Sequence, residues 1–255
     1  MQSPAELEEN EPPTPSAVRT AVDALGRFPL FSKVDPAIVR QLGAVAKLAT
    51  YHRGQELFHA GTLPRALPIV RSGLVKVVRS TCGGHNAICG LFGRSTPLEL
   101  ASLINDTPYP STTIVASKSL SVVSIPRADL LEALRAAPQL SFNLLCACDA
   151  CTNMLHDKID VLSAGTVHAR LATLLIKLYR QFGDEMEGGV VRVLVPLSRQ
   201  ELADLVATSF ETAIRVLTRW ERDGVVSTDP DGFTLHDVSA LTLASGMSSD
   251  DWASS

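Results

Sequence analysis

Between residues 198 and 235 the apolar period switches from helical to strand-like, a change that few folds accept over so short a length. Ser198 stands before an apolar-periodic run with Glu201 three residues on, so its hydroxyl can cap the first amides while the carboxylate reaches back to the cap. Leu202, Ala203 and Val206 then share one face, Ala207-Thr208-Ser209 is short and small, and Ala213, Val216 and Leu217 give a second inward face. The spacing predicts two helices meeting across a tight turn. Beyond Trp220, Gly224-Val225-Val226-Ser227 and Phe233-Thr234-Leu235 flank an Asp229-Pro230-Asp231-Gly232 turn, which predicts a hairpin. The pattern is a helix-turn-helix followed by a β wing. A plain helical hairpin with charged outer faces is the competing reading, and it accounts for neither the small turn residues nor the strands.

On the second of these helices Phe210, Glu211, Thr212 and Arg215 lie at the start and on the outer side, where no core needs them. Base edges in a major groove do need such side chains, so double-stranded DNA is the expected partner. The chain as a whole carries 45% hydrophobic residues and a net charge of −4, with no bulk basic signature. Within 197–222, Arg199, Arg215, Arg219 and Arg222 are offset by Glu201, Asp204, Glu211 and Glu221. Phosphate binding by one subunit should therefore be modest, which argues for a homodimer.

A chain of 255 residues exceeds the usual single domain, so two cores are expected. Residues 1–20 and 245–255 lack apolar periodicity and are expected to be disordered tails. Between them the reading assigns 21–135 to an effector-type β-barrel, 136–165 to a dimerisation helix and 166–244 to the winged helix-turn-helix. A helical stretch from Val18 to Leu25 and a second after Asp35-Pro36 precede seven short period-two runs: 49–51, 56–58, 68–70, 73–78, 87–91, 112–116 and 119–125. Strands so spaced suggest a jelly-roll barrel, and the fold class is α+β. From about Pro138 to Leu162 the helical period returns, with Leu140, Leu144, Ala147, Cys148, Cys151, Leu155, Ile159 and Leu162 at steps of three and four. That stripe is wider than a flanking barrel requires, and it reads as a coiled-coil dimer seam that also touches the barrel, with ordinary intramolecular packing as the alternative.

No run has the length of a membrane span, and the N-terminal segment is acidic and proline-rich, so no membrane partner and a cytoplasmic location are expected. Five cysteines, an odd number, fit free thiols better than a disulfide framework.

Phe31-Ser32-Lys33-Val34, the strand pair around Gly54–Phe58 and Arg71–Val77, the long helix, and Ser198–Ala203 through Glu211–Arg215 together resemble the bacterial cyclic-AMP receptor protein/fumarate-nitrate regulator (Crp/Fnr) superfamily of transcription factors, over about residues 25–240. The resemblance implies a cyclic-nucleotide-binding-like barrel that senses an effector, long helices that pair two subunits, and winged helices on the two halves of a palindrome. It also implies RNA polymerase as a further partner. Carried over residue by residue, Glu211 matches the glutamate that accepts from a cytosine amino group, and Arg215 the arginine that reaches a guanine edge. Ser198, Arg199 and Thr212 match phosphate-contacting positions, and Arg219 is expected to contact phosphate beside them. Phe210 departs from the family arginine and offers only apolar contact to a base.

In cyclic-AMP-binding members a glycine-glutamate pair and a later arginine-serine or arginine-threonine pair hold the ribose and the cyclic phosphate. Here the matching residues are Leu98-Glu99 and Pro110-Ser111, with Thr112 beside them, so no arginine meets the phosphate and cyclic AMP is disfavoured. Leu155 and His156 correspond to the purine-facing positions of the long helix. The iron-sulfur branch needs thiolates near the N-terminus, and no cysteine precedes Cys82. Cys146, Cys148 and Cys151 are read as small hydrophobes and no metal site is expected, although four thiolates could meet across a dimer. Cys82 and His85 keep a haem- or redox-sensing regulator open as an alternative. A cupin-like enzyme lacks a spaced histidine-carboxylate set, and no catalytic residues are expected. A cyclic-nucleotide-binding module without DNA function is opposed by 198–235.

Overall fold

The computed structural model describes residues 15–80 and 86–246, so Cys82 and His85 lie outside the described residues. The chain divides into two units, one ending at Thr152 and the other beginning at Asn153. In the first unit a proline opens both α1 (Pro15–Leu25) and α2 (Pro36–Val45), where the missing amide proton sacrifices no helical hydrogen bond. Asp35 caps α2 by accepting from the Ala37 amide at 2.8 Å. The first helix starts three residues ahead of Val18, inside the segment expected to be a tail, because the helix can extend past its last apolar anchor as far as its opening proline.

Seven strands follow: β1 (Lys47–His52), β2 (Glu56–Phe58), β3 (Ala66–Ser72), β4 (Val75–Ser80), β5 (Asn86–Phe92), β6 (Thr112–Val115) and β7 (Ser119–Pro126). Each coincides with a period-two run, its ends moved by at most two residues. They pair antiparallel in two sheets, ordered β1-β7-β3 and β2-β6-β4-β5, and this non-sequential order gives the barrel its jelly-roll wrapping. Val70, Val75, Leu98, Val115, Leu120 and Val122 form one interior cluster. Gly73, at φ +92°, turns β3 into β4 where any Cβ would run into the Ser119 carbonyl.

Between β5 and β6 lies a short helix, α3 (Leu100–Asn105), too brief to show a period in the sequence. After β7 come α4 (Arg127–Ala136) and the 26-residue α5 (Pro138–Ser163). Leu140 and Leu144 are buried with Leu25, Phe28, Phe31 and Leu130 in the first unit's larger core. This corrects the expected seam, because these two side chains are consumed by intramolecular packing. One set of exposed apolar residues of α5 occupies another face: Leu145, Cys148, Leu155, Ile159 and Leu162, with Phe142 flanking them, while Cys146 and Ala150 are exposed outside it. With Thr152 the five residues of this set step by three and four in strict alternation. Ala147 and Cys151 are half-buried beside that face.

In the second unit α6 (Val167–Phe182) is capped by Thr166 and buries Leu171, Leu174, Leu175, Ile176 and Leu178. β8 (Gly183–Glu185) and β9 (Val191–Val193) precede the helix pair α7 (Arg199–Leu205) and α8 (Phe210–Arg222). The hairpin β10 (Val226–Asp229) and β11 (Gly232–Leu235) completes a sheet ordered β10-β11-β9-β8, and α9 (Val238–Ser245) packs on α6. The wing is thus anchored on two further strands. Gly232 permits this, since a Cβ there would collide with the Val193 carbonyl. Among the described residues no helix is long and apolar enough to cross a membrane.

Candidate nucleic-acid interface

Ser198 Oγ accepts from the Glu201 amide at 3.2 Å, and Glu201 Oε2 accepts from the Ser198 amide at 2.8 Å, completing a capping box that fixes where α7 begins. Ala207, at φ +49°, makes the turn, and Ser209 caps α8 by accepting from the Thr212 amide. Ala213, Leu217 and Trp220 face inward, with Trp220 tilted against His168 at 4.7 Å between ring centroids. The opposite face presents Phe210, Glu211, Arg215, Thr218 and Arg219, all exposed. Glu211 and Arg215 are one turn apart, yet neither makes an ion pair or side-chain hydrogen bond among the described residues. Charge left unpaired on a rigid helix is available to a ligand.

The remaining charges near α8 hold the module together. Arg199 donates to both Glu221 oxygens at 3.0 Å, and Thr228 Oγ1 donates to Glu221 Oε1 at 2.6 Å, tying α7, α8 and the wing into one network. Arg199, expected among the phosphate contacts, also braces the two helices. Ser198 is likewise engaged with Glu201. Arg219 lies 3.6 Å from Asp223 with most of its side chain in solvent, and Thr212 Oγ1 accepts from Ser209 Oγ.

Two cations missed by sequence reading secure the helix-turn-helix from behind. Lys158 Nζ donates to the Leu205 carbonyl at 2.7 Å, and Arg170 donates to the Val206 carbonyl at 2.8 Å. Both satisfy acceptors left open at the end of α7. Lys177 joins Asp157 and Asp160, so α5 is held to α6. No local pattern marks these partners, which are 17 to 47 residues apart.

On the wing Arg192 bonds Asp229 at 2.8 Å and Thr234 at 3.0 Å, while Asp229 Oδ1 also accepts from the Asp231 amide. The Arg192 guanidinium and this amide hold the Asp229 carboxyl down at about 2. The tip of the hairpin is therefore pinned by charge as well as by pairing.

The barrel treats its polar groups differently. Glu99, half-buried at φ +50°, accepts from Ser111 Oγ at 2.7 Å, and Ser111 is 4% exposed. Leu98 is 2% exposed and belongs to the interior cluster, and Thr112 Oγ1 accepts from the Ala60 amide. Pro110 is exposed. Tyr109 stacks on Phe58 at 4.1 Å, and burial, with the nearby Glu99 charge, pushes its hydroxyl up to about 12. On α5 the residue that senses Glu99 is Cys151, whose thiol is pushed up by burial, then by Cys148 and Glu99. Leu155 is 58% exposed, and His156 is also exposed. Among the described residues no group of three or more histidine, cysteine or acidic side chains could hold a metal ion.

Comparison with known proteins adds to this geometry. Residues 48–137 match the cyclic nucleotide-binding domain family, and residues 169–243 match the Crp-like helix-turn-helix domain family. The chain is 29% identical over 213 residues to the cyclic AMP receptor protein of Thermus thermophilus, covering 84% of this chain and 94% of that one. It is 28% identical to the transcriptional activator protein FnrA of Stutzerimonas stutzeri, covering 78% and 80%. Among solved structures, FixK2 from Bradyrhizobium japonicum matches with a TM-score of 0.68 at 19% identity, over 80% of this chain and all of that one, a likeness of fold.

Proposed function

We propose that this chain, which belongs to the Crp/Fnr superfamily of DNA-binding transcription regulators, works as a homodimer that reads a two-fold DNA site and does not require cyclic AMP to do so. The observation that carries the reading is the outer face of α8, where Glu211 and Arg215 stand exposed and unpaired. In a major groove Glu211 accepts from a cytosine amino group, Arg215 donates to a guanine edge, and Phe210 offers apolar contact to a thymine methyl. Thr212 and Arg219 hold the phosphates, and Arg199 acts through Glu221 by keeping α7 and α8 in register. RNA polymerase remains a proposed partner, met once the protein is on its site.

The dimer is supported by the exposed, alternating stripe from Leu145 to Leu162. Apolar side chains at that spacing gain most by pairing with a second copy, and two recognition helices then meet half-sites about 34–36 Å apart. The cyclic-AMP argument rests on fit. Leu98 fills the interior, Glu99 is satisfied by Ser111, and Pro110 leaves the cyclic phosphate without a cation. These residues do not suit a cyclic nucleotide.

Selection from a random duplex library by the purified, nucleotide-stripped protein tests the whole reading. Tight palindromic binding of equal strength with and without cyclic AMP is expected. Binding that appears only with cyclic AMP would overturn the effector argument, and a consensus without two-fold symmetry would overturn the dimer.

A further inference from the structure

Three arginines whose guanidinium groups have no partner among the described residues, Arg27, Arg71 and Arg94, line one open cavity of about 450 Å³ on the outside of the barrel domain. They come from distant parts of the chain. Thr20, Asp23, Ala24 and Arg27 follow one another at the spacing of a single helical face, along α1 and into the turn after it. Arg71 and Ser72 end β3. Arg94 belongs to the loop after β5, which runs beside β3: Ser95 donates to the Val70 carbonyl at 2.8 Å and Val70 to the Thr96 carbonyl at 3.1 Å. That backbone pairing forces Arg94 alongside Arg71, and Ser95 adopts φ +67° within it.

Three like charges on one cavity wall give it a positive potential that favours an anion. Asp23 is the sole carboxylate in the lining and makes no ion pair with the arginines among the described residues, leaving a net charge of +2. The last carbonyls of α1 do not add to the negative side, because Val22, Ala24 and Leu25 already accept from the amides of Gly26, Arg27 and Phe28. Guanidinium forks match phosphate oxygens, and Phe28 and Ala24 give the cavity an apolar floor. A volume near 450 Å³ suits a nucleotide-sized molecule better than a bare ion.

We propose that this cavity is a binding site for a dianionic phosphate monoester of nucleotide size, distinct from the barrel interior around Glu99 and from the face of α8. Its charge favours a 5′-monophosphate, which carries up to two negative charges, over a cyclic phosphate, which carries one. The arginines hold the phosphate, while the ligand body lies over Phe28 with its hydroxyls toward Asp23 and Ser72.

Calorimetric titration of the full chain with adenosine 5′-monophosphate, ribose 5-phosphate, adenosine, cyclic AMP and inorganic sulfate tests it. At least one of the two monophosphates is expected to bind more tightly than sulfate, cyclic AMP or adenosine. Its affinity should drop about tenfold or more in Arg71→Gln and Arg94→Gln, and fall again below pH 6, where the phosphate loses its second charge. Arg94→Lys, which keeps charge but not the fork, should fall between. Glu99→Gln and Arg215→Gln should leave this binding unchanged, separating it from the other two sites. The proposal is overturned by monophosphate affinity that survives Arg71→Gln together with Arg94→Gln, by sulfate binding as tightly, or by no binding of either monophosphate at about 10 mM.

Discussion

The face of α8 and the barrel both place polar residues on well-packed elements, and they use them in opposite ways. On α8 the charges of Glu211 and Arg215 are exposed and unpaired, while the structural work passes to Ser198, Arg199, Glu221 and Thr228 behind them. In the barrel Glu99 is paired with Ser111, Tyr109 is stacked on Phe58, and Leu98 fills the interior. A polar group already satisfied within the protein has little to gain from a ligand, whereas one held rigid and unsatisfied has its interaction energy still available. On α8 that energy resides in Glu211 and Arg215, while in the barrel it is already spent between Glu99 and Ser111.

The sharpest test separates the two faces of α5. Leu144→Ala should cost about 2–5 kcal/mol of stability, because it opens a cavity in the first unit's core, with dimer affinity unchanged. Leu155→Asp should do the reverse, yielding monomers in analytical ultracentrifugation with little change in monomer stability. If Leu155→Asp remains dimeric at micromolar concentration, the exposed stripe is not the seam.

A smaller effect is expected on α8 itself. Arg215→Ala and Glu211→Ala should each remove about 1–3 kcal/mol of discrimination at one base pair, measured by competition between sites, and leave a weak, salt-sensitive affinity. Arg199→Met should differ in kind, weakening binding to all sequences alike because it loosens the brace.

The wing responds to pH. Asp229 has a depressed folded pKa, so its contribution to wing stability is complete above the ordinary value of 3.8 and vanishes as pH falls toward about 2. Amide exchange in β10 and β11 should accelerate through that window, and Asp229→Asn should abolish the step. The smallest effect belongs to the turn, where Ala207→Gly is expected to raise stability by about 0.5–1 kcal/mol by relieving the positive φ of an alanine.

Local chemistry explains how much of this was legible beforehand. The strand positions, the capping box at Ser198 and the small turn at Ala207 depend on neighbours a few residues away, and the sequence alone placed them closely. What was misplaced depended on distance. Leu140 and Leu144 share the apolar character of Leu155 and Ile159, and α5 is apolar on more than one side, so periodicity cannot say which face the chain's own core takes. Arg199 looks like any exposed helix-start arginine until Glu221, 22 residues on, is brought beside it. Lys158 and Arg170 carry no signal at all, since what they bind are backbone carbonyls.

By itself the sequence determined the order of elements, their periods and the chemistry available on α8, because those follow from short-range sterics and capping. Tertiary structure alone decided which charges are neutralised and which converge. Pairing between segments far apart in the chain joins Arg199 to Glu221 and gathers Arg27, Arg71 and Arg94 around one cavity, and no residue's neighbours in sequence encode that geometry.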